Sequence, residues 1–465
     1  YGTFIALVFL TPFIGGLLAD RYFGYRRSII AGGIMMGVGY CMMAVHSLPM
    51  LYLSMALVIF GNGFFKPNIS TLLGNLYSAP EFIHRKDEGY NIFYMGINVG
   101  AFICNFFSAA IIIIWGWKYA FVAAGVGMFL GVIIFMAGTK HYANGDVRKP
   151  MTKEDMPFLK IVLTIFIPAI IAGILGWIIP NNIFGSDSTD AFIFACIPVI
   201  YFYTSLYIRA EASEKRPIAA LLAIFAAVVM FWAVFKQNGT ALTIWADNFT
   251  DRQVSGTTGD VFRGLKQAED ISYTMFRLQK KDGQVIKTYD YPVYFKNISK
   301  EKLPADGDKA TLWSTPISQS INPGWVILLT PLVVAFFSFL RRKNREPSTA
   351  TKIAVGLFIS ALSVLVMVAA VHVSGNGAEK ASVWWLMGTY GVVTVGELLL
   401  SPMGLSLVSK LSPVRLTSLM MGGWFLATSI GNKLSGILAT MWDGYEHKAN
   451  FFWVNFILLM IATFI

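Results

Sequence analysis

Charge is what this sequence has least of. Only 14% of its 465 residues are Asp, Glu, Lys or Arg, against about 25% in a soluble domain, while 55% are hydrophobic. That balance excludes an ordinary soluble protein, and nearly all of the chain must be a polytopic membrane protein. Cysteine is scarce as well: Cys41, Cys104 and Cys196 fall in apolar runs without CxxC or Cys/His ligand spacing and read as packing residues. Five scattered histidines form no HExxH and no pair spaced to share a metal. Without a nucleophile beside a base, a metal set or a phosphate loop, the sequence does not read as an enzyme, and no cofactor is expected. It opens without Met inside one apolar run and closes inside another, so we expect material beyond both ends.

What is present is a succession of bilayer-length apolar runs. They cover Phe4 to Leu18, Ser28 to Ala44, Leu51 to Leu76, Ile92 to Trp115, Tyr119 to Ala137, Phe158 to Ile179, Ala191 to Tyr207 and Pro217 to Ile244. Five more follow: Gly324 to Leu340, Ile353 to Val373, Ser382 to Val408, Thr417 to Trp442 and Ala449 to Ile465. Between the two groups, residues 247–320 are polar and charged, a small soluble excursion. Its segments Ser272 to Gln279 and Gln284 to Phe295 flank Lys281-Asp282-Gly283 as the turn of a β-hairpin. The net charge of +11 would suggest nucleic acid in a soluble chain, but here the basic residues cluster in alternate short connections. By the positive-inside rule those connections are cytoplasmic and residues 247–320 face the exterior. Alternation then requires a further helix before Tyr1.

Lys66 is the only charged side chain between Met50 and Leu76, and it lies about 4 to 5 Å from the middle of that run. A charge there costs several kcal/mol unless it faces a bundle interior, a partner or water, so Lys66 reads as a site. The structural alternative is a snorkelling lysine or a fixed ion pair. Glu397 is the corresponding lone carboxylate of a later run, either protonatable or paired. On the first cytoplasmic connection, Gly16, Asp20, Arg21, Gly24, Arg26 and Arg27 combine glycines for close helix approach with an acid and a basic cluster able to latch two bundle helices. The plainer reading is a basic anchor and tight turn. Lys433 reads equally as a cavity charge or a rim lysine.

The latch pattern resembles the signature loop of the major facilitator superfamily. Three further stretches resemble its proton-coupled oligopeptide transporter family: Gly63 to Ile69, Phe93 to Gly100 and Gly396 to Leu405. Phe231-Trp232, Gln237-Asn238-Gly239, Ser320 to Pro323, Gly423-Trp424 and Gly431-Asn432 extend the match in order along most of the chain. The resemblance implies two six-helix bundles plus two inserted helices. Residues 1–139 form a first bundle lacking its first helix, 140–215 a linker with the inserted pair, and 216–465 a second bundle interrupted by 247–320. It also implies import of di- and tripeptides with protons by alternating access, in the inner membrane of a bacterium, by a protein working as a monomer and binding no nucleic acid. Lys66 then suits the peptide carboxylate and Glu397 its amine. Asn98 and Asn322 match the asparagines that hold the peptide backbone, and Tyr1 and Trp424 match aromatics lining the cavity. One position departs from the pattern: Lys236 stands where the family has a glutamate implicated in proton coupling. It can pair with an acid such as Glu397, shift preference toward acidic substrates, or accompany loss of coupling. Two other functions remain open at this level: a nitrate-like anion carrier of the same family, and a non-transporting peptide receptor acting through residues 247–320.

Overall fold

Among the described residues there are thirteen long helices, one for each apolar run. The structure is a computed structural model that describes residues 2–77, 81, 86–146, 157–184, 186–273, 277–281, 284–288, 292–295, 298, 301, 303–305, 307–413 and 416–465. Helices α1 (Gly2–Leu18), α2 (Tyr25–Met43), α3 (Leu48–Leu76), α4 (Lys86–Trp115) and α5 (Trp117–Ala137) form the first half. The pair α6 (Leu159–Trp177) and α7 (Asp187–Arg209) comes next. The second half contains α8 (Ala212–Phe235), the short α9 (Ala241–Asn248) and α10 (Gly256–Gly264), then α11 (Ile321–Arg342), α12 (Thr349–Val373), α13 (Val383–Leu411), α14 (Thr417–Thr440) and α15 (Lys448–Phe464). Among the described residues, nine helical spans are long and apolar enough to cross a bilayer. This is a multi-pass, almost wholly helical protein.

Helix ends follow local chemistry. Gly24, at φ 77°, separates the π-helical turn Ala19–Phe23 from α2, a conformation that a Cβ would strain. The first backbone N–H groups of α2, from Tyr25 and Arg26, donate to Asp146 Oδ1 at 3.0 and 3.2 Å. A carboxylate there satisfies orphan donors and complements the helix dipole. The apolar run Pro217 to Ile244 breaks at the 3-10 turn Lys236–Gly239 instead of continuing as one helix. The Gln237 side chain drives the break, donating to Ala233 O at 3.2 Å and Ser435 O at 3.0 Å and accepting from Thr240 Oγ1 at 2.8 Å.

In a bilayer the lipid offers helices no hydrophobic gain for meeting, so close backbone approach has to hold them. Gly356 and Gly396 supply it between α12 and α13: a Cβ on either would lie 2.8 or 2.5 Å from the other's carbonyl oxygen. Gly15 packs against the backbone of Gly63 in the same way, joining α1 to α3. Helices α6 and α7 pack on one another, and α7 also touches α8 and α14 of the second half. The two halves meet where α1 crosses α14 and α4 crosses α11.

The polar excursion is a folded unit with its own small core of Tyr273, Tyr294, Phe295, Ala310 and Leu312. Strands β2 (Arg277–Lys281) and β3 (Gln284–Thr288) form the expected hairpin, with Lys281 opposite Gln284; Asp282 and Gly283 of its turn lie outside the described residues. A second antiparallel pair, β1 (Ala268–Ser272) with β4 (Lys309–Trp313), brings the two ends of the excursion together. Arg252, 6% exposed, anchors the unit through Asp247 at 3.2 Å and the Trp313 carbonyl at 2.9 Å. On the connection between α12 and α13, Ala381 exchanges backbone hydrogen bonds with Phe249 and Asp251, and Lys380 stands over the Tyr294 ring. Burial, with Arg252 adding to it, pulls the Lys380 ammonium down to about 8.

At the opposite end of α11, Glu346 accepts from Arg341 at 2.7 and 3.1 Å and from Lys352 at 2.5 Å. These hydrogen bonds hold its carboxyl at about 2, below its ordinary 4.5. A depressed carboxylate stabilises the fold above its unfolded value and stops doing so as pH falls through the folded one. The difference in melting temperature between the parent and Glu346→Gln should therefore be constant above about pH 5 and shrink progressively toward pH 2. Gly396→Leu should abolish the α12–α13 contact, and size-exclusion chromatography in detergent should show loss of the monodisperse peak, whereas Gly127→Leu, where a Cβ meets nothing, should retain it.

Candidate functional site

The site is built from the same close packing. In α3, Gly61 lies against Gly32 of α2 and Gly63 against Thr11 of α1. Asn62 donates to Val8 O at 2.8 Å, and buried Asn68 donates to Phe64 O at 2.7 Å and Gly15 O at 3.4 Å. Glycines and asparagines thus face α1 and α2, while Lys66 lies on the remaining face and is exposed. Gly16 of the latch pattern packs 3.5 Å from Pro67 at its Cβ position, so the cytoplasmic signature and the Lys66 turn share one contact. The side chains of Asp20 and Arg21 lie outside the described residues; the acid seen holding this connection is Asp146, with Arg26 and Arg27 beside it on α2.

Across the seam, Glu397 of α13 is 8% exposed and accepts from Asn322 Nδ2 at 3.0 Å. The same amide donates to Thr394 Oγ1 at 2.8 Å, and Thr394 donates to Tyr390 O at 2.7 Å. Thr394 sits one turn before Glu397 on the same face, an i, i+3 spacing already visible in the sequence. Lys236 begins the 3-10 turn after α8, half-buried, with Nζ 5.3 Å from the Trp232 ring centroid and 5.8 Å from that of Phe235. Its charge interacts with those of Glu397 and Lys66. The site therefore draws two lysines and one carboxylate from α3, the turn after α8 and α13, with Asn322 of α11 bracing the carboxylate.

Asn98 is 9% exposed on α4, one turn before Phe102. Phe102 marks the seam between the halves: its carbonyl accepts from Ser320 Oγ at 2.9 Å, and a Cβ on Gly324 would lie 3.1 Å from its ring. Asn98 and Asn322 thus lie on the two helices that meet there. Trp424, expected on a cavity wall, is 5% exposed; its ring occupies the space a Cβ on Gly404 would need, inside the core of the second half. Lys433 is 5% exposed and lies 3.5 Å from Ser188 Oγ and 6.0 Å from the Phe192 ring of α7. Tyr1 lies outside the described residues. Among the described residues, no group of three or more His, Cys, Asp or Glu side chains is placed to hold a metal.

The profile of the POT family matches residues 26–261 and 314–454. The chain belongs to the POT family. The gap in that match falls on the excursion, which carries the hairpin and the second strand pair. Among POT relatives, the di-/tripeptide transporter of Lactococcus lactis subsp. lactis (strain IL1403) is 27% identical, covering 99% of this chain and 83% of its own. The peptide transporter YePEPT of Yersinia enterocolitica is also 27% identical, over 94% of this chain and 78% of its own. A crystal structure of the peptide transporter POT in complex with sulfate superposes with a TM-score of 0.72 at 28% identity, covering 99% of this chain and 84% of that one. The POT fold is that of the major facilitator superfamily, with the helix order described above.

The hydrogen bond from Asn322 to the buried Glu397 carboxylate is charge-assisted. A double-mutant cycle of Asn322→Ala and Glu397→Gln, read from reversible unfolding in detergent, should return a coupling of roughly 1.5 to 3 kcal/mol. A coupling near zero would mean that the pair does not interact in solution.

Proposed function

We propose that this chain is a secondary transporter that imports di- and tripeptides together with protons, by alternating access of its two halves. The observation that carries the proposal is the placement of Lys66 and Glu397. They come from opposite halves of a POT-family fold and are linked through Lys236 in one electrostatic constellation. A short peptide is a zwitterion whose side chains vary while its termini do not. Lys66 takes the carboxylate and Glu397 the amine, and Asn98 and Asn322, each able to donate and accept, hold the peptide backbone. A peptide bridging the two halves binds a closed arrangement more tightly than an open one, the differential affinity that alternating access requires.

The hydrogen bonds from Ser320 to Phe102 O and from Gln267 to Phe106 O tie the halves near the Trp115 end of α4. We assign that end, with the excursion, to the exterior of a bacterial inner membrane, and the basic connections to the cytoplasm. Exposed Lys66 then belongs to a cavity reached from the cytoplasmic side. Proton coupling runs through Glu397, whose charge is answered by Lys236 until a peptide amine competes for it.

In proteoliposomes, Lys66→Ala should abolish dipeptide uptake driven by an inward proton gradient. Uptake that persists unchanged in this variant would remove Lys66 from the mechanism.

A further inference from the structure

Two hydrogen bonds join the halves at the excursion's end of the seam, and one of them belongs to the excursion alone. Ser320, which donates to Phe102 O, lies within the residues matched to the POT family. Gln267, which donates to Phe106 O at 3.1 Å, lies outside them. The two acceptors are one turn apart on α4.

The excursion is fastened to the second half. Buried Arg252 holds Asp247 and the Trp313 carbonyl, Thr315 donates to Asp247 at 2.5 Å, and Gln319 donates to Asn238 O at 3.0 Å. Ala381, on the connection between α12 and α13, exchanges backbone hydrogen bonds with Phe249 and Asp251. A unit anchored to α9 and to that connection shifts only with them. Its contact with α4 is therefore a contact between halves.

The backbone aims Gln267 at that contact. Its N–H donates to Phe262 O and its carbonyl accepts from Ser314 N, both at 2.8 Å, where β1 begins to pair with β4. Lys266, immediately before it, turns the chain through the left-handed region at φ 55°, a conformation that strains a residue with a Cβ and persists only where surrounding structure imposes it. The Gln267 side chain is 7% exposed, and its Nε2 lies 3.1 Å from both Phe106 O and Leu265 O. Its Oε1 is buried with no hydrogen-bond partner among the described residues. An orphaned buried acceptor is costly until water reaches it. Parting α4 from the excursion thus breaks a hydrogen bond across the seam and hydrates this oxygen, so the contact holds and can still be released.

We propose that the excursion is a clasp on the exterior seam, and that Gln267 is the residue through which it favours the exterior-closed arrangement of the two halves. The inference rests on the alternating-access reading and adds the part that the excursion plays in it. Each opening to the exterior then includes release of Gln267 from α4.

The test is double electron–electron resonance on the full chain in lipid nanodiscs without ligand, with spin labels at Trp115→Cys on α4 and Trp384→Cys on α13. Both positions are exposed, and the three native cysteines are replaced by serine. A short-distance population should dominate in the parent. Gln267→Leu and Gln267→Glu at neutral pH, neither able to donate to Phe106 O, should each enlarge the longer-distance population about threefold to tenfold, the effect of one net hydrogen bond. Both keep the backbone bonds of residue 267, and their different polarity guards against a folding defect in either. Gly324→Phe, a wedge between α11 and the Phe102 ring, is the control that forces the seam apart. Parent-like distances in both Gln267 variants, with a lengthened distance in Gly324→Phe, would overturn the clasp and leave the moving halves intact. A parent already dominated by the longer distance would also overturn it. If neither Gly324→Phe nor added Ala-Ala alters the distance, the alternating-access reading itself fails, and the clasp with it.

Discussion

Placing charged side chains inside a bundle that is otherwise apolar is the constraint on which the rest of this structure depends. An isolated ammonium or carboxylate at bilayer depth is costly, and its cost falls only when other charges, dipoles or water reach it. Lys66, Lys236 and Glu397 meet that condition collectively. Glu397 is held by Asn322, Lys236 lies near the Trp232 and Phe235 rings with its charge opposed by that of Glu397, and Lys66 is solvent-accessible. None of the three helices that supply these charges could cross a bilayer with its charge facing lipid at comparable cost. The charges therefore set which faces of α3, α8 and α13 turn inward.

Close packing makes that orientation rigid. Gly61 and Gly63 let α3 settle against α2 and α1, and Asn62 and Asn68 fix its rotation by reaching carbonyls of α1. Gly356 and Gly396 do the same for α12 and α13, placing Glu397 directly after a backbone contact. A side chain that follows such a contact has little freedom to swing, which suits a group that must meet a ligand in a defined position. The excursion adds a third restraint. Its strand pair β1–β4 closes its ends together, and Gln267 and Ser320, flanking it, donate to carbonyls one turn apart on α4. Gln267, outside the family match, and Ser320, inside it, thus connect the second half to the first at one end of the seam.

Much of this was legible in the residues. The number and approximate limits of the long helices follow from hydropathy, because a bilayer demands about twenty apolar residues per crossing whatever the tertiary arrangement. The β2–β3 hairpin was visible in its turn. The β1–β4 pair was not, because its strands are separated by more than thirty residues and no local pattern marks partners that far apart. The run from Pro217 to Ile244 read as continuous because apolar composition is blind to Gln237 turning back on the helix. Asp146 and Thr394 escaped notice for a similar reason: each works through a contact with backbone or amide groups that spacing alone does not reveal. Lys433 read equally as a cavity charge or a rim lysine in sequence, and its neighbour is the inserted helix α7.

By itself, then, the sequence determined that this is a multi-pass helical membrane protein, that Lys66 and Glu397 are exceptional, and that Lys236 breaks an otherwise familiar pattern. The first two conclusions depend on composition and on the cost of charge in hydrocarbon, both local properties of each run, and the third on the resemblance to the POT family. Only the tertiary structure decided that Lys236 stands near the Trp232 and Phe235 rings, that Asn322 holds the Glu397 carboxylate, and that Trp424 is packed away in the core. Hydropathy fixes where a residue lies along a helix, but the rotation of that helix is set by contacts with distant segments, and rotation decides which charges meet.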